Sequence, residues 1–375
     1  MNRLICLIWL LLVVLSPTAQ AQIHLNPGVD TTEYRMAEVY HFLEQYYQDF
    51  RADGQVDYAA YFSPEAVARY VHPDKVAFSI FGRTPAYLVG SPNIISLQKR
   101  EDRYHVQVAF QHVQESGATD ILFICEHLVA CTPNGPQFLV NLDHHTADWS
   151  RRTIRNITFV WPGDTPFDSL GAAALIHDVE QLEQDWALEP IDITYYYTAR
   201  NEEIQRIRGF LFNFNMSRTE YPSGLSDIPD HVTFSSGWGA RYFHEVVHIY
   251  LNPIHPKFPL NEGLTVWYGG SMGHHLDWHI RRLSTYLEEH PDLDLNDRQS
   301  FYYMDSQTNP QSTIDGFLCQ WVYEHAGLDG LKRLCTFEQR DQIYKEMLGI
   351  DPSEFNAWLR AQIAVYGPAH PIQDF

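Results

Sequence analysis

One segment constrains the fold of this chain most strongly: residues 241–270, which read RYFHEVVHIYLNPIHPKFPLNEGLTVWYGG. The run from Ala240 to Leu251 contains no Gly or Pro and repeats apolar groups at helical spacing, which predicts a helix. Prolines at positions 253, 256 and 259 then break this helix. Asn261 is placed to cap a second helix, with Glu262 in its first turn. The chain must therefore fold with two successive helices joined by a short loop.

The first of these helices carries His244 and His248, which are one turn apart and project from the same face. Two such imidazoles can bind one zinc ion, about 2.0–2.1 Å from each nitrogen. The loop can stretch about 30 Å, enough to bring Glu262 back over the histidine pair as a third ligand. Glu245 is offset from the ligands, so its carboxylate can reach a water on the metal and not the metal itself. The sequence therefore predicts one Zn2+ bound by His244, His248 and Glu262, with Glu245 as the catalytic residue.

The pattern His-Glu-x-x-His could also occur by chance, because a motif this short arises roughly 0.05 times in a chain of this composition. The residues around the motif therefore decide between the possible ligand schemes. A metzincin would have Gly three residues and His six residues after His248, but those positions hold Leu251 and Ile254, and His255 is one residue out of register. That scheme fails, and Glu262 remains as the third ligand.

His244-Glu245-x-x-His248, followed by Asn261-Glu262-Gly263 and an aromatic residue at Trp267, resembles the gluzincin metallopeptidases, the thermolysin and aminopeptidase N class with a peptidase MA-like domain. The resemblance covers about residues 151–375 and includes HVTF at 231–234, which is similar to an edge strand. It implies peptide hydrolysis, with Glu245 accepting a proton from zinc-bound water. The spacer between His248 and Glu262 is shorter than in the best-known members, which suggests a compact branch and leaves the substrate preference open.

Several other residues remain open as site candidates. The developing oxyanion in such a reaction needs a donor opposite the zinc, and Tyr302, Tyr303, His274 and His275 are candidates, although ordinary packing is the commoner role for each. The run Asp143-His144-His145 is interpreted as a solvated turn, because no third metal ligand is at suitable spacing. No Gly-x-Met-x-Asn run is present, so an aminopeptidase mode has no support.

The N-terminus is typical of a signal peptide: Arg3 is followed by twelve apolar residues, Leu4 to Leu15, and by a small-x-small site ending at Ala21. As a helix, the apolar run covers about 18 Å, short of the roughly 30 Å of a bilayer core, which argues against a membrane anchor. We therefore expect cleavage after residue 21, no membrane span in the mature chain, and export to the periplasm or the extracellular space.

The formal net charge of −21 disfavours nucleic acid and anionic lipid as partners. An oxidising compartment would permit disulfides among the remaining cysteines, which are Cys125, Cys131, Cys319 and Cys335. Cys125 and Cys131 lie in one strand-like run, too far apart to bond to each other. Cys319 and Cys335 are either a pair across a helix turn at Gly327 or two separate buried thiols.

Two domains are expected in an α+β fold. Residues 22–150 predict helices followed by an antiparallel sheet, with a hairpin turn at Thr132–Pro136, and look somewhat like an NTF2-like cone. Residues 151–375 predict the gluzincin-like domain, with a mixed sheet and a mainly helical part. The leading hypothesis is an exported zinc peptidase acting on a peptide or protein substrate. Its rivals are a catalytically silent zinc-binding scaffold and a zinc hydrolase of a non-peptide bond.

Overall fold

The computed structural model describes residues 23–81, 84–213, 216, 222–296, 304–305 and 307–369. The expected signal peptide and the candidates Tyr302 and Tyr303 lie outside this part of the chain. The helices, numbered in chain order, are α1 Met36–Asp53, α2 Pro64–Arg69, α3 Asn141–His145, α4 Ser169–Trp186, α5 Asn201–Ile207, α6 Phe243–Leu251, α7 Asn261–Gly269, α8 Leu276–Glu289, α9 Pro310–Leu334, α10 Arg340–Ile343 and α11 Phe355–Ala369.

The strands are β1 His24–Leu25, β2 Ile80–Phe81, β3 Thr84–Pro85, β4 Ser91–Arg100, β5 Arg103–Val113, β6 Thr119–Thr132, β7 Gly135–Leu139, β8 Ser150–Ile154, β9 Ile157–Trp161, β10 Ile193–Thr198, β11 Phe210–Asn213, β12 Ser223–Asp227 and β13 Val232–Ser236. The fold is α+β, as the sequence predicts. Among the described residues, no helix is both long enough and apolar enough to cross a lipid bilayer.

The chain divides into two compact units, one of residues up to 147 plus 205–218, the other of residues 148–204 plus 219–375. The first break lies three residues before the expected boundary at 150/151. The segment 205–218 was expected in the second domain but belongs to the first unit, because β11 pairs with β6. The four residues of β11, FLFN, give no indication in the sequence of which sheet they join.

In the first unit, strands β1-β4-β5-β6-β11 form a sheet in that order, and β7 pairs with β6. Thr132 lies opposite Gly135 in the β6–β7 hairpin, which confirms the predicted turn. Helix α1 packs its aromatic side chains against the sheet, with the Tyr47 ring 5.6 Å from Phe110 and the Tyr46 ring 4.8 Å from Phe138. Burial of such large rings supplies much of the hydrophobic driving force of this unit.

In the second unit, the sheet has the order β12-β13-β10-β9-β8. Strand β10 is parallel to both β9 and β13, and α4 makes the crossover from β9 to β10. The expectation that residues 231–234 form an edge strand is wrong, because β13 pairs with β10 on one side and with β12 on the other. All five residues of β13 are buried, as an internal strand requires, and β12 is the true edge.

The helices of this unit share one hydrophobic core with the sheet, to which α6 contributes Phe243, Val246, Val247, Ile249, Tyr250 and Leu251. Helix α9 is interrupted at Gly327, whose φ of 62° is left-handed, so the predicted break at this glycine is confirmed. The sulfur atoms of Cys319 and Cys335 are free and buried, and those of Cys125 and Cys131 are free as well.

Candidate metal centre

Helices α6 and α7 bring the three expected metal ligands together. His244 Nε2 lies 3.4 Å from Glu262 Oε1, and His248 Nε2 lies 3.4 Å from Glu262 Oε2. The ligand atoms of these residues all lie within 4.8 Å of one another. Side chains separated by thirteen residues of loop and helix therefore converge on one point.

The spacing of these atoms is compatible with one bound metal ion as well as with long hydrogen bonds. Two ligand atoms about 2.05 Å from a tetrahedral zinc are about 3.3 Å apart. A hydrogen bond between the imidazole and the carboxylate would bring the atoms to about 2.7–3.2 Å. The observed 3.4 Å separations lie near the first distance and slightly beyond the second. The donor set of two imidazoles and one carboxylate therefore fits a metal such as zinc with three protein ligands.

Hydrogen bonds to the far side of each imidazole orient the ligand nitrogen. His244 Nδ1 donates to the Gly270 carbonyl oxygen at 2.8 Å, and the Thr265 hydroxyl lies 3.2 Å from Nε2 on the other side of the ring. A metal would bind this Nε2 in place of its proton. The side-chain amide of Asn252 lies beside His248 Nδ1, with Oδ1 at 3.4 Å and Nδ2 at 3.1 Å. The Thr265 hydroxyl donates to the Glu262 carbonyl oxygen at 2.7 Å and steadies the first turn of α7.

The two ligand helices approach each other closely because α7 ends in Gly269. A Cβ atom at this position would lie 2.4 Å from the His244 backbone nitrogen and 2.6 Å from its Cα. Both atoms belong to the backbone and cannot rotate away. A glycine is therefore required here for the α6–α7 contact that sets the distance between the ligands.

Asn261 does not cap α7 as expected. Leu260 occupies the N-cap position, and Asn261 is the first residue of the helix. The Asn261 side chain instead turns back to the preceding loop, where Nδ2 donates to the His255 carbonyl oxygen at 3.4 Å. Glu262 still lies in the first helical turn, so its position does not depend on the cap.

Glu245 is buried beside the ligand group without belonging to it. The ligand group consists of His244, His248 and Glu262, and Glu245 is not one of its members. Its Oε2 accepts a hydrogen bond at 2.7 Å from the hydroxyl of Ser226, which also lies 2.6 Å from the Glu245 carbonyl oxygen. Ser226 belongs to the edge strand β12, which the sequence pattern did not reveal. The carboxylate is thus fixed by a neighbouring strand.

Charge coupling between the ligands is strong. Burial lowers the pKa of His244, but the nearby carboxylates of Glu262 and Glu245 and the bond to Gly270 raise it to about 9. The protein around the Glu262 carboxylate opposes ionisation, yet the hydrogen bonds and charges of His244 and His248 hold its pKa well below the usual range. Without a metal, a proton on the imidazole thus balances the carboxylate, and a cation would take over that role.

Polar anchors at both ends of α6 fix the helix in the fold. At its start, the Tyr242 backbone nitrogen donates to the Tyr195 hydroxyl at 2.7 Å. At its end, the Tyr250 hydroxyl donates to Glu183 Oε1 at 2.6 Å, and it accepts from the Ile191 backbone nitrogen at 3.1 Å. These anchors come from distant parts of the sequence, so motif spacing gave no signal for them.

Two of the four candidate oxyanion donors, His274 and His275, lie beside the start of α8. His275 takes the N-cap position of α8, and the His274 ring stacks on Trp278 at a centroid distance of 3.7 Å. These contacts are consistent with packing roles. Tyr302 and Tyr303 lie outside the described residues.

The run Asp143-His144-His145 forms the end of helix α3, so its interpretation as a solvated turn is wrong. His145 Nε2 lies 3.2 Å from Glu126 Oε2, and Arg103 Nη1 lies 2.9 Å from His144 Nδ1. The side chains therefore hold the helix against the sheet of the first unit.

Comparison with protein-family models, with curated proteins and with solved structures finds no match to this chain.

Proposed function

We propose that this chain is an exported zinc metallopeptidase of the gluzincin type, acting on a peptide or protein substrate. The observation that carries the proposal is the convergence of His244, His248 and Glu262, whose ligand atoms lie within 4.8 Å of one another. The side chain of Glu262 is 56% exposed, whereas those of His244 and His248 are 5% and 14% exposed, so the ligand group is open to solvent at Glu262. The high negative charge again argues against nucleic acid as a substrate.

In this proposal, His244 Nε2, His248 Nε2 and the Glu262 carboxylate would hold a zinc ion. Zinc bound there would lower the pKa of a water and polarise a carbonyl group. Glu245 accepts the proton of the attacking water and passes it to the leaving amine. Since the Ser226 hydroxyl lies 2.7 Å from Oε2, we assign the proton to Oε1. Burial of Glu245 keeps competing solvent away from this carboxylate.

The test uses the mature chain, beginning at Gln22. We expect about one zinc per molecule by elemental analysis, and cleavage of a mixed peptide library that Glu245→Gln abolishes while zinc stays bound. Bound zinc with no cleavage by either protein would contradict the peptidase and favour a silent scaffold or a hydrolase of another bond. If Glu262→Ala and His248→Ala both keep their zinc, the proposed ligand set is contradicted.

Export is the second part of the proposal and rests on the leader at residues 1–21. N-terminal sequencing of protein recovered from the exported fraction should begin at Gln22. A chain that retains Met1 and stays in the cytoplasmic fraction would contradict it.

A further inference from the structure

Arg340, at the start of α10, joins two segments that pack around the Glu262 helix. Its Nη1 donates to Asp315 Oδ1 at 2.6 Å, and its Nη2 donates to Asp315 Oδ2 at 2.8 Å. The same Nη2 donates to the Pro259 carbonyl oxygen at 2.6 Å. One guanidinium group thus bonds to helix α9 and to the loop that leads directly into α7.

The pair is well shielded, since the Asp315 side chain is 6% exposed and the Arg340 side chain 24%. Two parallel charge-assisted bonds fix both the distance and the relative orientation of arginine and carboxylate, which a single bond would not do. The third bond, to Pro259, extends this fixed geometry to within three residues of Glu262.

The first turn of α7 also lies directly against Asp315. A Cβ atom on Gly263, the residue after Glu262, would be 2.3 Å from the Asp315 carbonyl carbon and Cβ. Gly263 therefore lets the helix pack on the same residue that Arg340 holds. The backbone around Glu262 is therefore held in position by two contacts, one at Pro259 before it and one at Gly263 after it.

We infer that Arg340 is a positioning residue for the third metal ligand. By holding Asp315 and Pro259 in one geometry, it sets the backbone of the first turn of α7 and so the distance from the Glu262 carboxylate to the two imidazoles. The inference rests on the proposed zinc site. It concerns metal affinity, because zinc ligands tolerate displacements of only about 0.2 Å.

The test measures zinc affinity of the full mature chain by competition with a chelator. Lysine keeps the charge of Arg340 but cannot form the two parallel bonds. We therefore expect Arg340→Lys to weaken zinc binding about 10- to 100-fold, the range for residues that orient metal ligands. Lys257→Ala is the control, since it removes a contact of 3.2 Å between exposed side chains that joins the same loop to Glu338, two residues before Arg340. It should bind zinc like the wild type.

A double-mutant cycle separates positioning from general structural support. If Arg340 acts through Glu262, then Arg340→Lys has no further effect on the weaker zinc affinity that His244 and His248 provide in a Glu262→Ala background. An equal loss in both backgrounds, or wild-type affinity in Arg340→Lys, overturns the inference while the zinc site stands. A wild-type chain that binds no zinc overturns the proposed function itself. If Arg340→Lys fails to fold by circular dichroism, Asp315→Asn takes its place in the cycle with the same expectations.

Discussion

Gly269→Ala tests the close approach of the ligand helices, because two effects with opposite signs compete at this position. Helix propensity favours alanine by up to about 1 kcal/mol. The new Cβ would lie 2.4 Å from the His244 backbone nitrogen, whereas ordinary contacts are about 3.5–4.0 Å. The helices must then separate by about 1 Å, and such overpacking costs about 1–3 kcal/mol. We expect a net loss of about 1–2 kcal/mol in the free energy of unfolding.

The same separation should weaken zinc binding, since His244 and Glu262 lie on the two helices that move apart. A displacement of about 1 Å is far outside the tolerance of about 0.2 Å for zinc ligands. Urea unfolding gives the free energy, and chelator competition gives the zinc affinity. Gly28→Ala is the control, as its Cβ would have its nearest neighbour at 3.5 Å. A Gly269→Ala protein that is as stable as the wild type and binds zinc equally well would refute the reasoning.

Three further predictions follow from other contacts. Ser226→Ala removes the hydroxyl beside Glu245 Oε2 and should lower kcat on a cleaved peptide about tenfold at unchanged zinc content. An unchanged kcat would show that the hydroxyl does not orient the carboxylate. Tyr250→Phe leaves the buried Glu183 carboxylate short of one donor and should reduce the free energy of unfolding by about 2 kcal/mol in urea, a prediction that a change under about 0.5 kcal/mol would contradict. Burial lowers the pKa of His279 from 6.5 to about 4, so the unfolded chain binds more protons between these values. The free energy of unfolding should be unaffected by this group above about pH 6.5 and should fall by up to about 3 kcal/mol as the pH drops to about 4. In urea, the free energy of unfolding of His279→Asn should therefore depend less on pH in this window than that of the wild type. An equal pH dependence of the two proteins would contradict the assignment.

The ligand helices could be predicted from sequence because their signals are local. His244 and His248 are on one face at any α-helical geometry, and the prolines at 253, 256 and 259 force a second element that starts near Glu262. The assignment of Asn261 as the cap failed because a cap depends on backbone angles, and the chain becomes helical one residue earlier than the residue type suggests.

The contacts that support the site could not be predicted, because they join residues distant in sequence. Edge strand β12 reads SGLSD, which has no strand-like alternation, yet it carries the serine that holds Glu245. Helices α8 and α9 separate Arg340 from the helix of Glu262, and no neighbouring residue marks Arg340 as a partner of Asp315. Tertiary packing brings these pairs together, and no local pattern in a single sequence reveals them.

The most direct test of the central claim is an anomalous difference map at the zinc edge, from crystals of the mature chain grown with zinc. We predict one strong peak about 2.0–2.2 Å from His244 Nε2, His248 Nε2 and a Glu262 carboxylate oxygen, with Glu245 too far away to be a ligand. A zinc peak at other residues, or none between these three side chains, would contradict the account.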